Sequence, residues 1–157
     1  MKKKRTLLLI AVLVLFSAWY FWPRSFDDTL SGFDPEGPVT ACYAILPASG
    51  TPGTLQVELP VDSQAYEEVL AQLRSTTYIR DFSDLLRLGR ASDSQVITLD
   101  PYYAHFYLRQ GEALFEWSFY GPQMVAEDFQ GGAQITYRPI GGKGFQKEVL
   151  HLLVSQK

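Results

Sequence analysis

The feature that most constrains this chain is an uncharged apolar run near its start. Four basic residues, Lys2 to Arg5, come first, and the following 17 residues, Thr6 to Trp22, carry no charge. Such a run is at the short end of what a helix needs to cross a bilayer core of about 30 Å. A basic flank keeps the N-terminus cytoplasmic, and aromatic rings at the far end suit the headgroup zone. The sequence therefore predicts an uncleaved transmembrane anchor, with the lipid bilayer as partner of residues 6–22. The rest of the chain is then expected outside the cytoplasm, at the cell membrane.

Two other interpretations of this run stay open, a cleaved secretory signal and a buried helix of a cytoplasmic protein. Ser17 and Ala18 are small enough for a cleavage site, but a cut after either places a bulky residue at position −3. A lipoprotein box at Cys42 is rejected, because that cysteine lies 20 residues beyond Trp22 rather than at the end of the apolar run. Cys42 is instead expected to point into a core.

The charges are unevenly distributed along the chain. The 157 residues carry 14 basic and 17 acidic side chains, and the four basic residues at the start leave ten against 17 elsewhere, a net −7. This acidic remainder argues against a nucleic-acid partner. One cysteine and two histidines allow neither an internal disulfide nor a standard zinc site. We therefore expect no metal and no cofactor.

Beyond the anchor of residues 1–22, the sequence predicts an acidic Pro/Gly tether over 23–38 and one domain over 39–157. Alternating patterns predict strands joined by short turns, which favours antiparallel pairing. Apolar side chains at helical spacing predict one helix capped by Asp62 or Ser63 and a second at the C-terminus. The predicted fold class is α+β, with an N-terminal transmembrane helix followed by a mainly antiparallel sheet with two helices packed on one face. The strands are expected over Val39–Leu46, Thr54–Leu59, Gln95–Leu99, Tyr102–Arg109, Ala113–Tyr120, Gln123–Phe129 and Gln134–Pro139.

The densest unusual feature is aromatic, with eight rings between residues 102 and 120. Alternation sends half of them to the core and the others to the opposite sheet face. Rings with polar tips suit contacts with peptides or sugars, although cross-strand aromatic pairs that merely stabilise the sheet are the plainer interpretation. The candidate binding residues on the opposite face are Tyr103, His105, Tyr107, Arg109 and Tyr120.

No residue pattern in the sequence favours catalysis. A catalytic histidine needs an orienting carboxylate and a nucleophile or water, and the sequence assigns neither to His105. Ser118 lies on the predicted partner strand without a nucleophile-elbow motif. Gly141 to Gly144 lacks the spacing of a phosphate-binding loop and is expected to be a turn. Pairs of acids such as Glu127 and Asp128 point to opposite faces of a strand and cannot act together. No catalytic residue is predicted.

The full layout resembles that of small single-pass extracytoplasmic proteins of Gram-positive bacteria, a loose group without a specific motif. The resemblance implies location and architecture only. Two functions remain open. The first is a membrane-anchored, non-enzymatic interaction domain for an envelope protein, a peptide or a cell-wall ligand. The second, less favoured, is a small cell-envelope hydrolase with His105 as its acid or base.

Overall fold

A seven-stranded antiparallel sheet organises the molecule. The computed structural model describes residues 2–47, 53–82, 84, 104–120, 123–130, 132–140 and 145–155. The strands run in the order β2-β1-β4-β5-β6-β7-β3, and each neighbouring pair is antiparallel. The α+β class and the antiparallel sheet are confirmed. The strands are β1 (Ala41–Pro47), β2 (Thr54–Glu58), β3 (Thr77–Arg80), β4 (Ala104–Gln110), β5 (Ala113–Tyr120), β6 (Gln123–Asp128) and β7 (Ala133–Ile140).

Two helices cover one face of this sheet. Helix α2 (Gln64–Arg74) connects β2 at one edge to β3 at the other, so it must cross the whole sheet. The Ser63 side chain caps it by accepting a hydrogen bond from the backbone N–H of Tyr66 at 3.2 Å. The C-terminal helix α3 (Phe145–Ser155) packs beside α2, and the two helices share buried apolar residues with the sheet. We call the covered side the core face.

The core face carries the largest buried side chains. Strand alternation places Phe106 of β4 opposite Trp117 of β5, and both are completely buried. The apolar stripe predicted for α2, which includes Val69 and Leu73, lies in the same cluster. The opposite side of the sheet, which we call the second face, therefore receives the alternate residues of every strand.

The expectation of a transmembrane helix is wrong. Helix α1 spans Lys2–Tyr20, so its first turn consists of the basic residues and its uncharged part is only 15 residues, Thr6 to Tyr20. At 1.5 Å per residue, that part is about 22 Å long, well short of a bilayer core of about 30 Å. Each helix within the described residues falls short of the length and apolar character that crossing a bilayer requires. The location outside the cytoplasm stays a prediction.

The segment predicted to be a tether lies on the sheet. Phe26, Leu30 and Phe33 are buried in the core cluster, at spacings of four and three residues. Arg24 exchanges two backbone hydrogen bonds with Tyr78 of β3, at 2.8 and 2.9 Å, which extends this sheet edge. The boundaries at residues 22 and 38 stay predictions, but side chains from both sides of residue 38 share one core.

Candidate binding face

The β4–β5 hairpin builds the centre of the second face. Gly111 adopts φ +58 at the turn, a left-handed conformation that glycine tolerates and that matches the twist of a two-residue hairpin. This turn fixes the register, so His105 lies opposite Ser118 and Tyr107 lies opposite Glu116. Alternation sends these four side chains to the face away from Trp117.

His105, Glu116 and Ser118 form one hydrogen-bonded cluster. The Nδ1 atom of His105 contacts Oε1 of Glu116 and lies 2.7 Å from Oγ of Ser118. The Ser118 hydroxyl also donates to Oε1 of Glu116. Glu116 and Ser118 are only 6% and 5% exposed, so this is a buried polar network rather than a surface ion pair. Such networks are stable when their members are satisfied, because an unpaired buried polar group is costly.

The cluster holds Glu116 in its ionised form. Burial by itself raises the pKa of this carboxyl group, but hydrogen bonds from His105, Ser118 and Tyr107 outweigh burial and hold the pKa below its ordinary value. Glu127 lies opposite Glu116 on β6, and its pKa is shifted in the opposite direction. Its pKa is raised by burial and by the negative charge of Glu116.

This geometry differs from that of a serine hydrolase. In a catalytic triad the carboxylate contacts one ring nitrogen of the histidine and the serine contacts the other. Here both partners meet Nδ1 of His105. An ionised carboxylate can only accept, so Nδ1 carries a proton and cannot remove one from Ser118. The serine hydroxyl already donates to Glu116, which leaves Ser118 without a base at this nitrogen.

An aromatic stack borders the cluster. The rings of Tyr43 on β1 and Tyr107 on β4 lie 4.8 Å apart at 14°, and the imidazole of His105 lies 5.9 Å from the Tyr107 ring. Both tyrosines are half-buried. Stacked rings of this kind add to sheet stability and present a broad apolar surface with polar tips.

The predicted candidate residues are only partly brought together. His105, Tyr107 and Arg109 alternate along β4 on the second face, and Arg109 is exposed. The prediction for Tyr103 lies outside the described residues, as does the predicted turn at Gly141 to Gly144. Tyr120 ends β5, but its side chain lies outside the described part of the chain.

Three participants were missed from the sequence, namely Glu116, Ser118 as a hydrogen-bond partner, and Tyr43. The first two could have been found by fixing the turn at Gly111, because that choice sets every pair of the β4–β5 hairpin. Tyr43 reaches Tyr107 through the pairing of β1 with β4, two strands that are distant in sequence. No local pattern predicts that pairing.

Asp81 and Asp84 have structural partners. Asp81 is buried and contacts the guanidinium of Arg138, and Gln123 donates to it at 2.9 Å. Asp84 accepts a hydrogen bond from the backbone N–H of Thr136 at 2.7 Å.

Among the residues that the structure describes, no group of three or more His, Cys, Asp or Glu side chains could hold a metal ion.

Comparisons with known proteins add no relatives. No protein-family model, curated protein or solved structure matches the chain.

Proposed function

We propose that this chain is a non-enzymatic interaction domain that binds a protein, peptide or cell-wall ligand through the second face of its sheet. The binding residues would be His105, Tyr107 and Arg109, together with Tyr103 and Tyr120 of the sequence prediction. The observation that carries the proposal is the geometry of the buried cluster, in which Glu116 and Ser118 both contact Nδ1 of His105. The Ser118 hydroxyl donates to Glu116, and His105 presents a protonated Nδ1 to both partners, so these side chains stabilise the face rather than activate a nucleophile.

The stacked rings support the same proposal. Tyr43 and Tyr107 offer a large apolar area whose side chains lose little entropy on binding, because their packing already restricts them. Exposed Arg109 lies two residues along β4 from Tyr107 and adds a charged contact beside the rings. Tyrosine and arginine are the residue types most often enriched at binding hot spots.

The alternative is a small hydrolase in which His105 acts as acid or base. One observation favours it, namely the contact between His105 and a carboxylate that stays ionised. A histidine oriented by a carboxylate is the arrangement that general base catalysis requires. Because Ser118 contacts Nδ1 rather than the other ring nitrogen, it is not placed as a nucleophile for His105, so the binding domain is preferred.

Selection from a random peptide library displayed on phage, together with binding to purified cell-wall polymer, tests the proposal on the full chain. We expect the selected ligands to bind the Tyr107→Leu variant at least about tenfold more weakly than the native chain, since hot-spot tyrosines contribute well over 1 kcal/mol. Arg109→Ala should also weaken binding. Lys147→Ala, which removes an exposed positive charge on α3, serves as the matched control and should leave the affinity unchanged.

Two outcomes would overturn the proposal. One is a set of selected ligands that bind both second-face variants as well as the native chain. The other is hydrolysis of cell-wall polymer or peptide that drops about a hundredfold or more in His105→Gln, the loss expected when a general acid or base is removed. Circular dichroism of each variant verifies that it is folded.

A further inference from the structure

A single row of side chains crosses the second face at the level of the tyrosine stack. The strand register places one residue from each of six adjacent strands in this row. In order across the sheet they are Glu58, Tyr43, Tyr107, Glu116, Glu127 and Gln134. We call this set the cross-sheet row.

The centre of the cross-sheet row suits an aromatic or apolar side chain. The rings of Tyr43 and Tyr107 stack at 4.8 Å and remain half-buried rather than fully covered. Stacked tyrosine rings present a broad apolar surface on which another ring or an apolar side chain can pack. The same rings also pack against the methylene stems of lysine and arginine side chains.

Carboxylates lie on both sides of the tyrosines. Glu58 is exposed at the β2 edge, where its carboxylate accepts a hydrogen bond from the Gln56 amide. On the other side, Glu127 is part-buried, and burial together with the charge of Glu116 raises its pKa. A cation arriving there would offset the repulsion between the two glutamates. Arg109 and Arg138 are positive charges on this face, but both lie outside the row, and Arg138 already contacts Asp81.

The spacing of the row limits how a partner can lie on it. Neighbouring strands are about 4.8 Å apart, so the four strand spacings between Glu58 and Glu127 separate them by about 19 Å. An extended peptide advances about 3.3 Å per residue and covers this distance with about six residues.

From this charge complementarity we propose that the ligand of the second face is an extended peptide segment with two lysine or arginine residues about six positions apart and an aromatic or apolar residue between them. The basic side chains pair with Glu58 and Glu127, and the central residue lies on Tyr43 and Tyr107. The inference rests on the proposed binding function and names the class of partner.

Three synthetic peptides test the inference with the full-length chain. The first is Lys-Gly-Tyr-Gly-Gly-Gly-Lys with blocked ends, in which the tyrosine and both lysines point to the same side of an extended chain, and the others replace both lysines by glutamine or by glutamate. Dissociation constants come from NMR titrations in which the resonances of the second face are followed. We expect the lysine peptide to bind about two- to fivefold tighter than the glutamine peptide for each part-exposed ion pair, and the glutamate peptide to bind weakest. The preference should fade as salt is added.

Variants of the two glutamates test whether they cause the preference for the lysine peptide. Glu58→Gln and Glu127→Gln should each reduce the advantage of the lysine peptide about two- to fivefold while leaving the affinity for the glutamine peptide unchanged. Glu67→Gln removes an exposed negative charge from α2, behind the core face, and should change neither. Because amide replacements keep the size of the side chain, these variants are expected to fold.

The outcomes separate the inference from the proposed function. Equal affinity for the three peptides, with binding still lost in Tyr107→Leu, overturns the basic-peptide inference and leaves the binding face in place. No binding of any peptide at millimolar concentration also overturns the basic-peptide inference alone, because the proposed function includes protein and cell-wall ligands. Binding that is unaffected by Tyr107→Leu overturns both. A lysine preference that survives Glu58→Gln and Glu127→Gln also overturns the inference, because the charge would then be recognised elsewhere.

Discussion

At the scale of single residues, Glu116 is the buried charge that organises the second face. Its carboxylate receives hydrogen bonds from His105 and Ser118, and the side chain is only 7% exposed. A buried charge is tolerated only when it is paired and hydrogen-bonded, so its partners and its ionisation are linked to the stability of the fold.

Replacing Glu116 by glutamine is predicted to lower the free energy of unfolding at pH 7 by about 1–3 kcal/mol, because a neutral amide oxygen accepts weaker hydrogen bonds from His105 and Ser118 than an ionised carboxylate does. The native pKa lies below the unfolded value, so the stabilisation by Glu116 is complete above the ordinary pKa of 4.5 and is lost as the pH falls through the native pKa. Urea unfolding of both proteins between pH 7 and pH 3 measures the difference, which should shrink in acid.

The matched control is Glu67→Gln on the exposed side of α2, for which the change is expected to stay within about 0.5 kcal/mol at every pH. A Glu116→Gln deficit that is constant down to pH 3 would contradict the linkage, since it would show that ionisation of this carboxyl group contributes nothing.

Cys42 shows what local chemistry predicts well. The sequence places it on a strand pointing inward, and the structure leaves it 3% exposed. Burial, with a smaller effect from Glu58, raises the pKa of its thiol to about 12, so the thiol remains protonated at neutral pH. The burial preference of cysteine and the alternation of side chains along a strand were sufficient to predict this orientation, because both depend only on the local sequence.

At the scale of elements, the hairpins and the amphipathic helix were predictable, while their assembly was not. The turn at Gly111 and the alternation of β5 determine which side chains share a face, and the stripe of α2 identifies its buried side. The pairing of β1 with β4, which brings Tyr43 to Tyr107, joins segments about 60 residues apart. Long-range pairing is set by how apolar surfaces combine in the whole fold, and one sequence contains no local signal for it.

The packing of the segment between α1 and β1 was not predicted for a related reason. Its prolines, glycines and acids resemble a linker, yet Phe26 and Thr29 are central to the core. The Phe26 ring lies 4.6 Å from the ring of Trp117, and the Trp117 indole N–H donates to Oγ1 of Thr29 at 2.8 Å. Tyr137 donates to the Thr29 carbonyl at the same distance. The sequence signal for this packing was the helical spacing of Phe26, Leu30 and Phe33, which are buried in the core.

Removing the Phe26 ring is therefore predicted to destabilise the whole domain. Phe26→Ala should lower the free energy of unfolding by about 3–5 kcal/mol, the usual cost of a large cavity in a packed core. Trp22→Ala is the matched control, because Trp22 is a larger aromatic residue four positions earlier and is 66% exposed. Its effect should stay within about 0.5 kcal/mol. Chemical denaturation followed by circular dichroism measures both. An effect of Phe26→Ala as small as that of Trp22→Ala would mean that this segment is not part of the cooperative core.

At the scale of the whole molecule, the contrast is between a closed core and an uncovered helix. Tyr20 is buried at the end of α1, where its hydroxyl donates to the Asp81 carbonyl at 3.1 Å. The Arg80 guanidinium lies over the rings of Trp19 and Tyr20, 5.8 and 5.7 Å from their centroids. The remainder of α1 exposes large apolar side chains on every side. These are Leu7, Leu8, Leu9, Ile10, Val12, Leu13, Val14, Leu15 and Phe16.

This uncovered surface leads to a prediction for the association of the chain with itself. Soluble monomers rarely expose a contiguous apolar patch of more than a few hundred Å², and larger patches drive association. We expect the full chain to form assemblies in detergent-free buffer, as measured by light scattering coupled to size exclusion. The double variant Leu9→Glu, Leu13→Glu places two charges one turn apart on α1 and should shift the population to smaller species.

The control Gln64→Glu, Ala71→Glu adds the same charge on exposed positions of α2. A comparable shift in the control would mean that net charge, rather than the apolar surface of α1, governs association.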